Sequence, residues 1–287
     1  MTEQPRIGSF EAGAPAAPHV IAYAEWGDEG RARTVVCAHG LTRNGRDFDA
    51  LGRDLAARLG CRVICPDAPG RGRSAWLPDP ALYAYPQYIA DMASLLARLG
   101  PARVDWIGTS MGGLIGMFLA ALPNTPIRSL VMNDIGPVLR REALERIAGY
   151  VGRDESFADL DALKAHLKRI HAPFGPLTEA QWDHLTRHGH RLRPDGRYAL
   201  HYDPAIGSNV RAGVKDWEFW ESWDRIACPV LVLRGAQSDL LDTQTAREMT
   251  RRGPKAELVT FPGVGHAPAL MAHEQIEIVR EWLARHG

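Results

Sequence analysis

The sequence alternates short apolar runs with longer segments of helical period. The runs are rich in valine and isoleucine and almost continuously apolar, which is typical of strands covered on both faces. Between them, apolar residues form single stripes, as at Leu51, Leu55 and Leu59 before Gly60. This alternation predicts an α/β fold with a doubly wound, mostly parallel sheet. The predicted strands are 20–26, 34–38, 62–65, 104–107, 129–132, 230–233 and 257–261.

The rhythm breaks between residues 137 and 222, where the sequence becomes polar and helical. A capping box, Thr178-Glu-Ala-Gln181, marks one helix start there. The pattern predicts a helical insertion that sits over the sheet. Its histidines match no strong ligand spacing and no carboxylate cluster accompanies them, so we expect a solvated polar face and no metal. They are His166, His171, His184, His188, His190 and His201.

Composition argues against several classes of protein. Lysine plus arginine and aspartate plus glutamate both number 34, and no basic run is interleaved with aromatics, so nucleic acid is not an expected partner. The longest apolar run, 112–122, is too short to cross a bilayer. The first residues lack a signal-peptide pattern, and the four cysteines form no CxxC pair. These features predict a cytoplasmic protein with reduced thiols and no membrane partner, and they leave the oligomeric state open.

One serine lies between a predicted strand and a predicted helix, in Gly108-Thr-Ser110-Met-Gly112. A serine on so sharp a turn has a strained backbone, and glycines two residues to either side remove clashes with the strand and the helix. A serine displayed in this way is a candidate nucleophile. The alternative is a glycine-rich packing corner with an incidental serine.

A serine hydroxyl needs a base that is held by an acid. His266 lies in a Gly/Pro loop after the last predicted strand, and Asp239 follows strand 230–233. Both lie at the edge of a parallel sheet where Ser110 would also lie. Asp134, after strand 129–132, is an alternative acid. The alternative bases are His273 and His286, both in helical context near the terminus.

Taken together, these motifs resemble the α/β-hydrolase superfamily over nearly the whole chain. His39-Gly40-Leu41-Thr42 resembles its oxyanion loop, and the run from Asp67 to Ser74 resembles its D-x-x-G-x-G-x-S turn. Cys-Pro-Val-Leu-Val-Leu-Arg-Gly followed by Ser238-Asp239 resembles its acid-bearing segment. The resemblance implies an α/β-hydrolase core at 1–136 and 223–287, with a helical cap at 137–222 after the sixth strand.

The resemblance also implies roles for single residues. Ser110, Asp239 and His266 would form a catalytic triad, and the backbone N–H groups of Leu41 and Met111 would form an oxyanion hole. Gly40 would let the early loop approach closely. Arg43, directly after that loop, is a candidate for binding a substrate carboxylate, or else a solvated surface arginine.

These inferences predict a serine hydrolase that acts through an acyl-enzyme. The expected substrate is a small or medium, largely apolar carboxylic ester or lactone, with no metal or organic cofactor. One alternative is hydrolysis of a carbon–carbon bond in a diketone-type product of ring cleavage. Another is a ligand-binding protein that keeps the pocket but turns over slowly or not at all.

Overall fold

The structure is a computed structural model that describes residues 4–13, 17–100 and 103–286. The outermost ends of the predicted core, residues 1–3 and 287, lie outside these ranges. The strands are β1 (Arg6–Ala12), β2 (His19–Trp26), β3 (Thr34–Ala38), β4 (Arg62–Pro66), β5 (Val104–Thr109), β6 (Ile127–Asn133), β7 (Val138–Leu139), β8 (Ser156–Phe157), β9 (His190–Leu192), β10 (Tyr198–Leu200), β11 (Trp217–Glu218), β12 (Val230–Gly235) and β13 (Glu257–Phe261).

The helices alternate with the strands of the main sheet and cluster again between β7 and β12. They are α1 (Asp49–Arg58), α2 (Tyr85–Arg98), α3 (Met111–Ala120), α4 (Arg141–Ala148), α5 (Leu160–Ile170), α6 (Glu179–His188), α7 (Ile206–Ala212), α8 (Trp220–Asp224), α9 (Thr243–Met249) and α10 (His273–His286). The capping box at the start of α6 forms as predicted, with Thr178 and Gln181 bonded reciprocally.

The main sheet has the strand order β1-β2-β4-β3-β5-β6-β12-β13. β1 and β2 are antiparallel, β2 is antiparallel to β4, and the pairs from β4 to β13 are parallel. The predicted mostly parallel sheet is therefore confirmed. β1 was not predicted from the sequence, since its residues are largely exposed and carry no continuous apolar run.

Both faces of the sheet are covered. Successive side chains of a strand point to opposite sides, and both sets are buried. Val36 and Trp106 pack on one face, in a cluster that also contains Leu114 of α3. Val35 and Ile107, their neighbours in sequence, pack on the other face in a cluster that contains Leu55 of α1 and residues of α10. This double burial explains the continuous apolar runs in the strands.

Residues 137–222 lie outside the main sheet and carry helices together with five strands of two or three residues each. β7 pairs with β11, so the two ends of the segment are joined at its base. A small separate cluster around Leu163, Leu167 and Trp182 also includes Met271, which lies between β13 and α10. No helix in the described residues combines the length and the apolar character needed to cross a membrane.

Candidate active site

Ser110 lies at the sharp turn between β5 and α3. Its backbone has a φ of 51°, in the left-handed region that non-glycine residues rarely occupy. A Cβ on Gly108 would lie 2.2 Å from the carbonyl oxygen of Gly112, and one on Gly112 would lie 2.0 Å from that of Ala38. The two glycines of the motif are therefore required by backbone contacts, and they let the strained serine project from the turn.

The imidazole of His266 connects Ser110 to a buried carboxylate. Its Nε2 is 2.9 Å from Ser110 Oγ, and its Nδ1 is 2.7 Å from Asp134 Oδ2. His266 follows β13, and the three side chains extend from the carboxyl ends of different strands of one sheet. Three residues that lie far apart in sequence thus form one chain of hydrogen bonds.

Asp134 is fully buried directly after β6, with a φ of 57°. Besides the contact with His266, its Oδ1 accepts a hydrogen bond of 2.8 Å from the N–H of Gly235, and its Oδ2 accepts one of 2.6 Å from Ser238 Oγ. These donors lie at the end of β12 and in the loop that follows it. The neighbouring strand therefore holds the carboxylate that contacts His266.

The prediction that Asp239 holds His266 is corrected by this geometry. The Asp239 side chain is 48% exposed and pairs with Arg146 of α4, whose Nη2 lies 2.8 Å from Asp239 Oδ1. The segment that resembled the acid-bearing one contributes hydrogen-bond donors to Asp134 through Gly235 and Ser238, and the acid itself comes from β6. The alternative acid is the one that the structure brings to the imidazole.

The two alternative bases lie away from this chain of hydrogen bonds. His273 is 83% exposed in α10 and lies 3.7 Å from Glu277. His286 stacks on Trp282 and bonds the carbonyl oxygen of that residue. Of the three candidate histidines, His266 is the one next to Ser110.

The backbone around Leu41 is held so that its N–H faces away from His39. The carbonyl of the Gly40–Leu41 peptide accepts hydrogen bonds from His39 Nδ1 at 2.7 Å and from the N–H of Arg43 at 3.1 Å. In a planar trans peptide the N–H points opposite to the carbonyl, so these bonds fix the direction of the Leu41 N–H. Leu41 and Met111 both line the pocket beside Ser110. Met111 is the first residue of α3, where an N–H has no helical acceptor.

His39 is a buried, neutral imidazole with both nitrogens in use. Its Nε2 accepts a hydrogen bond of 2.9 Å from the N–H of Ala68, so Nδ1 carries the proton and donates to Gly40. Burial lowers the pKa of His39 to about 4, which keeps this tautomer neutral. Gly40 itself is not sterically required, since a Cβ there would have no neighbour closer than 3.9 Å. The expectation that Gly40 permits a close approach is therefore wrong.

The Asp67–Ser74 turn places a buried arginine behind the Leu41 loop. Asp67 accepts hydrogen bonds from the N–H groups of Gly45 and Arg73, and burial raises the pKa of its carboxyl to about 6. Arg71, fully buried, donates from Nε to the carbonyl oxygen of Leu41 at 2.8 Å. Its guanidinium also bonds Tyr88 Oη at 2.9 Å and approaches Met111 Sδ at 3.7 Å. Arg71 thus contacts both Leu41 and Met111, the two residues predicted to supply the oxyanion hole.

Ser110 and His266 open into a pocket of about 530 Å³, within the usual range for small-molecule sites. One side is aromatic: Phe118 of α3 stands edge-on to Phe219 with ring centroids 5.1 Å apart, and Phe219 stacks on Trp217 at 5.8 Å. Residues 137–222 supply much of the wall, including Leu144, Ile147, His171, Phe174 and Trp217. The tryptophans near the segment have different places. Trp217 lines the pocket, Trp182 and Trp223 are buried in packing clusters, and Trp220 packs at the edge of the main cluster.

The polar residues of the pocket wall include Arg43, Asp47 and His171. Arg43 is buried, and its Nε and Nη2 lie 2.8 and 2.6 Å from the two carboxylate oxygens of Asp47. It is therefore neither a solvated surface arginine nor an unpaired cation. His171 is buried, against the expectation of a solvated polar face, and burial lowers its pKa well below the ordinary value. It is a neutral hydrogen-bonding group in the pocket.

The arrangement has the parts needed for acyl transfer. A hydroxyl next to an imidazole can lose its proton as it attacks a carbonyl, and a carboxylate on the far nitrogen orients the ring and stabilises its charged form. Backbone N–H groups beside the hydroxyl can bind the oxygen on which negative charge develops.

Fold and site together place the chain in a known class. A sequence model described as "Alpha/beta hydrolase family" matches residues 35–278. The chain belongs to this family, and it is an α/β-hydrolase enzyme with esterase relatives.

Several individual proteins are similar to this chain over most of its length. The chain is 45% identical to a 3-hydroxybutyrate-oligomer hydrolase from Cupriavidus necator, over 98% of this chain and 99% of that one. It is 30% identical to a pimeloyl-[acyl-carrier protein] methyl ester esterase from Chromobacterium violaceum, over 90% of this chain and 95% of that one. Among solved structures, a putative hydrolase from Rickettsia typhi superimposes with a TM-score of 0.92 at 35% identity, covering 98% of this chain and all of that one.

Sequence reasoning missed three groups that the structure places at the site. The sequence predicts Ser238 only as the neighbour of an acid, whereas the structure makes it a donor to Asp134. Arg71 is predicted only as part of a turn motif, and His171 only as part of a solvated polar face. The signal for Arg71 was its position between two glycines of a tight turn. No local signal marks the other two.

Proposed function

We propose that the protein is a serine ester hydrolase in which Ser110 is the nucleophile, His266 the general base and Asp134 the acid that orients His266. The observation that carries the proposal is the unbroken chain of hydrogen bonds from Ser110 Oγ through His266 to Asp134, at 2.9 and 2.7 Å, at the wall of a pocket. The backbone N–H groups of Leu41 and Met111 form the oxyanion hole, supported by the orientation of the Gly40–Leu41 peptide.

In the first half-reaction, Ser110 Oγ attacks the ester carbonyl carbon while His266 Nε2 takes the hydroxyl proton. The carbonyl electron pair moves to oxygen, where the two N–H groups stabilise it, a contribution of about 3 kcal/mol per donor. When the pair returns, the bond to the leaving oxygen breaks and His266 gives that oxygen its proton. Water then repeats the sequence on the acyl-serine and releases the carboxylic acid.

We propose a short oligoester of a 3-hydroxy acid as the substrate. Support comes from the full-length similarity to a 3-hydroxybutyrate-oligomer hydrolase at 45% identity. The pocket suits such a molecule, since its aromatic wall accepts methyl-bearing carbon units and its polar wall faces hydroxyl, ester and carboxylate oxygens. Arg43 contributes to binding the carboxylate end, although Asp47 already takes up two of its donor groups, so its share is smaller than that of an unpaired arginine.

Residues 137–222 act as the cap over a core formed by 1–136 and 223–287. The β7–β11 pair, which closes the base of the segment, and the pocket residues that the segment supplies support this division.

The proposed location is the cytoplasm. Cys37, Cys61 and Cys65 are buried as free thiols, which agrees with a reducing compartment.

The test is hydrolysis of 3-hydroxybutyrate dimer and trimer, measured as acid released per enzyme molecule. Ser110→Ala is expected to lower kcat by on the order of 10⁶-fold and to abolish labelling by a fluorophosphonate. Ser208→Ala, on an exposed face of α7, serves as the matched control and keeps both. Labelling or turnover that survives in Ser110→Ala would place the nucleophile elsewhere.

A substrate panel separates the alternatives. We expect turnover of hydroxybutyrate oligomers and p-nitrophenyl esters of short chain to exceed that of lactones and of a vinylogous diketone. Preference for the diketone would favour carbon–carbon bond hydrolysis. A single slow cycle on every compound would favour a ligand-binding protein.

A further inference from the structure

Three side chains of types that can bind a metal ion lie close together outside the pocket, where residues 137–222 contact the core. Asp49 is the first residue of α1, and His184 and His188 lie on α6. One ligand atom from each of these residues lies within 4.8 Å of the others. The sequence predicted no metal because these residues are far apart in the chain and the histidines alone have no carboxylate nearby.

The geometry of the group suits a divalent transition-metal ion. Histidines four residues apart project from the same face of a helix and can share one ion. Their rings lie 4.7 Å apart between centroids. The third group, Asp49, is 3% exposed, and Trp26 Nε1 donates to its Oδ1 at 3.3 Å, so the carboxylate is oriented by a second residue as metal-binding carboxylates commonly are.

We propose that Asp49, His184 and His188 form a binding site for a divalent transition-metal ion of the zinc type, which fastens α6 to the start of α1. Two imidazoles and one carboxylate match the ligand set that zinc accepts, with water in the remaining position.

Arg46 occupies the position of the cation when no ion is bound. Its Nη2 lies 2.6 Å from Asp49 Oδ2, and its Nε also bonds this carboxylate. His184 Nε2 lies 2.8 Å from the carbonyl oxygen of Arg46 and 3.5 Å from Asp49 Oδ2. Binding therefore exchanges one positive partner of Asp49 for another: the guanidinium moves away, and His184 Nε2 gives up the carbonyl for the ion. Arg46 is the built-in competitor of the site.

The bound ion would also affect the pocket, through the turn that carries Arg46. Arg46 lies in the turn of residues 45–48, which also carries Asp47 and Phe48 of the pocket wall. Fixing α6 on this turn holds the wall in place from outside, without contact between the ion and the substrate.

The test is calorimetric titration of the metal-free full-length protein with Zn²⁺. Wild type is expected to bind one ion at this site, and His184→Gln and His188→Gln to bind it about tenfold more weakly or worse. The matched control is His273→Gln, which removes an exposed histidine outside the cluster and leaves binding unchanged. A His266→Gln variant excludes the pocket imidazole as the ligand, and it too keeps wild-type binding.

Arg46→Gln tests the exchange itself. Removing the competitor is expected to tighten Zn²⁺ binding, because the guanidinium no longer pairs with Asp49 Oδ2. Co²⁺ as the probe should show a visible absorption band in wild type that disappears in His188→Gln, with circular dichroism confirming that the variant is folded. Unchanged affinity in both histidine variants, or no gain in Arg46→Gln, would overturn the site.

Discussion

The carboxylate of Asp134 receives three hydrogen bonds, from His266, Ser238 and the N–H of Gly235. A buried carboxylate with this many donors has a fixed direction, and the imidazole that it holds is fixed in turn. Asp239 offers no such control, because it is half exposed and paired with Arg146. The two aspartates therefore differ in what they can do for His266.

Replacing each aspartate by asparagine separates them. Asp134→Asn is expected to lower kcat for a p-nitrophenyl ester by on the order of 10⁴-fold, because the amide holds the wrong tautomer of His266. Asp239→Asn, the matched control, removes only an exposed ion pair and should change kcat less than about threefold. A large loss in Asp239→Asn with little in Asp134→Asn would reverse the assignment.

Ser238 donates a hydrogen bond to Asp134 and does not line the pocket. Ser238→Ala removes a donor of 2.6 Å to Asp134 Oδ2 and is expected to lower kcat about tenfold, with KM little changed. Steady-state kinetics of this variant beside Ser208→Ala, whose hydroxyl is exposed, provides the measurement. Equal kcat in the two variants would mean that the hydrogen bond to Asp134 does not matter.

At the residue scale, the sequence predicted Ser110 and His266, which the structure brings within hydrogen-bond distance of each other, but it favoured Asp239 over Asp134 as the partner of His266. Both serine and histidine lie in short motifs whose glycines and prolines are visible along the chain. Two aspartates end neighbouring strands, and the choice between them depends on backbone direction after β6 and β12, which local pattern does not encode.

The turn from β5 into α3 is the element on which the site depends. Here strand and helix lie so close that backbone atoms fill the space a side chain would need. The Leu41 loop is different, because its position comes from hydrogen bonds of His39 and Arg71. One element is fixed by close contact and the other by polar partners.

A pair of glycine substitutions tests this difference. Gly112→Ala is expected to lower the free energy of unfolding by about 3 kcal/mol, because its Cβ would meet the Ala38 carbonyl in β3, and this exceeds the roughly 1 kcal/mol that alanine gains in a helix. Gly40→Ala should cost less than about 1 kcal/mol, since its nearest contact is 3.9 Å away. Urea unfolding of the two variants measures both, and equal losses would contradict the argument.

The elements themselves were largely predictable. Continuous apolar runs identified the buried strands, and the stripe of Leu51, Leu55 and Leu59 identified α1. β1 was not predicted, because an edge strand needs no continuous run of buried residues. The short strands among residues 137–222 were not predicted either, because two or three residues are too few to show an alternation of apolar and polar side chains.

For the whole molecule, buried titratable groups link stability to pH. His39 stays neutral in the folded state down to a pKa of about 4, whereas in the unfolded chain it titrates near 6.5. Between these values the unfolded state binds more protons, so the His39 contribution falls as the pH falls. Asp67 has the opposite sign: its folded pKa of about 6 exceeds the ordinary 3.8, so its contribution grows as the pH falls through this range.

Comparison with His39→Gln isolates the histidine from the aspartate. The stability advantage of wild type over the variant is expected to shrink by about 2 kcal/mol between about pH 7 and about pH 5. Urea unfolding at the two pH values measures it. A constant or growing advantage would mean that His39 takes up a proton in the folded protein.

The β7–β11 pair has a consequence for how such proteins diverge. Because Val138–Leu139 pairs with Trp217–Glu218, the point where the chain leaves the main sheet lies next to the point where it returns. The segment between these two points can therefore vary in length and sequence without displacing β6 or β12, provided that its contacts with the core, such as the pair of Arg146 with Asp239, are kept or replaced. We expect a graft of a relative's segment between these two points to change the part of the pocket wall that the segment supplies and to leave Ser110, Asp134 and His266 in place.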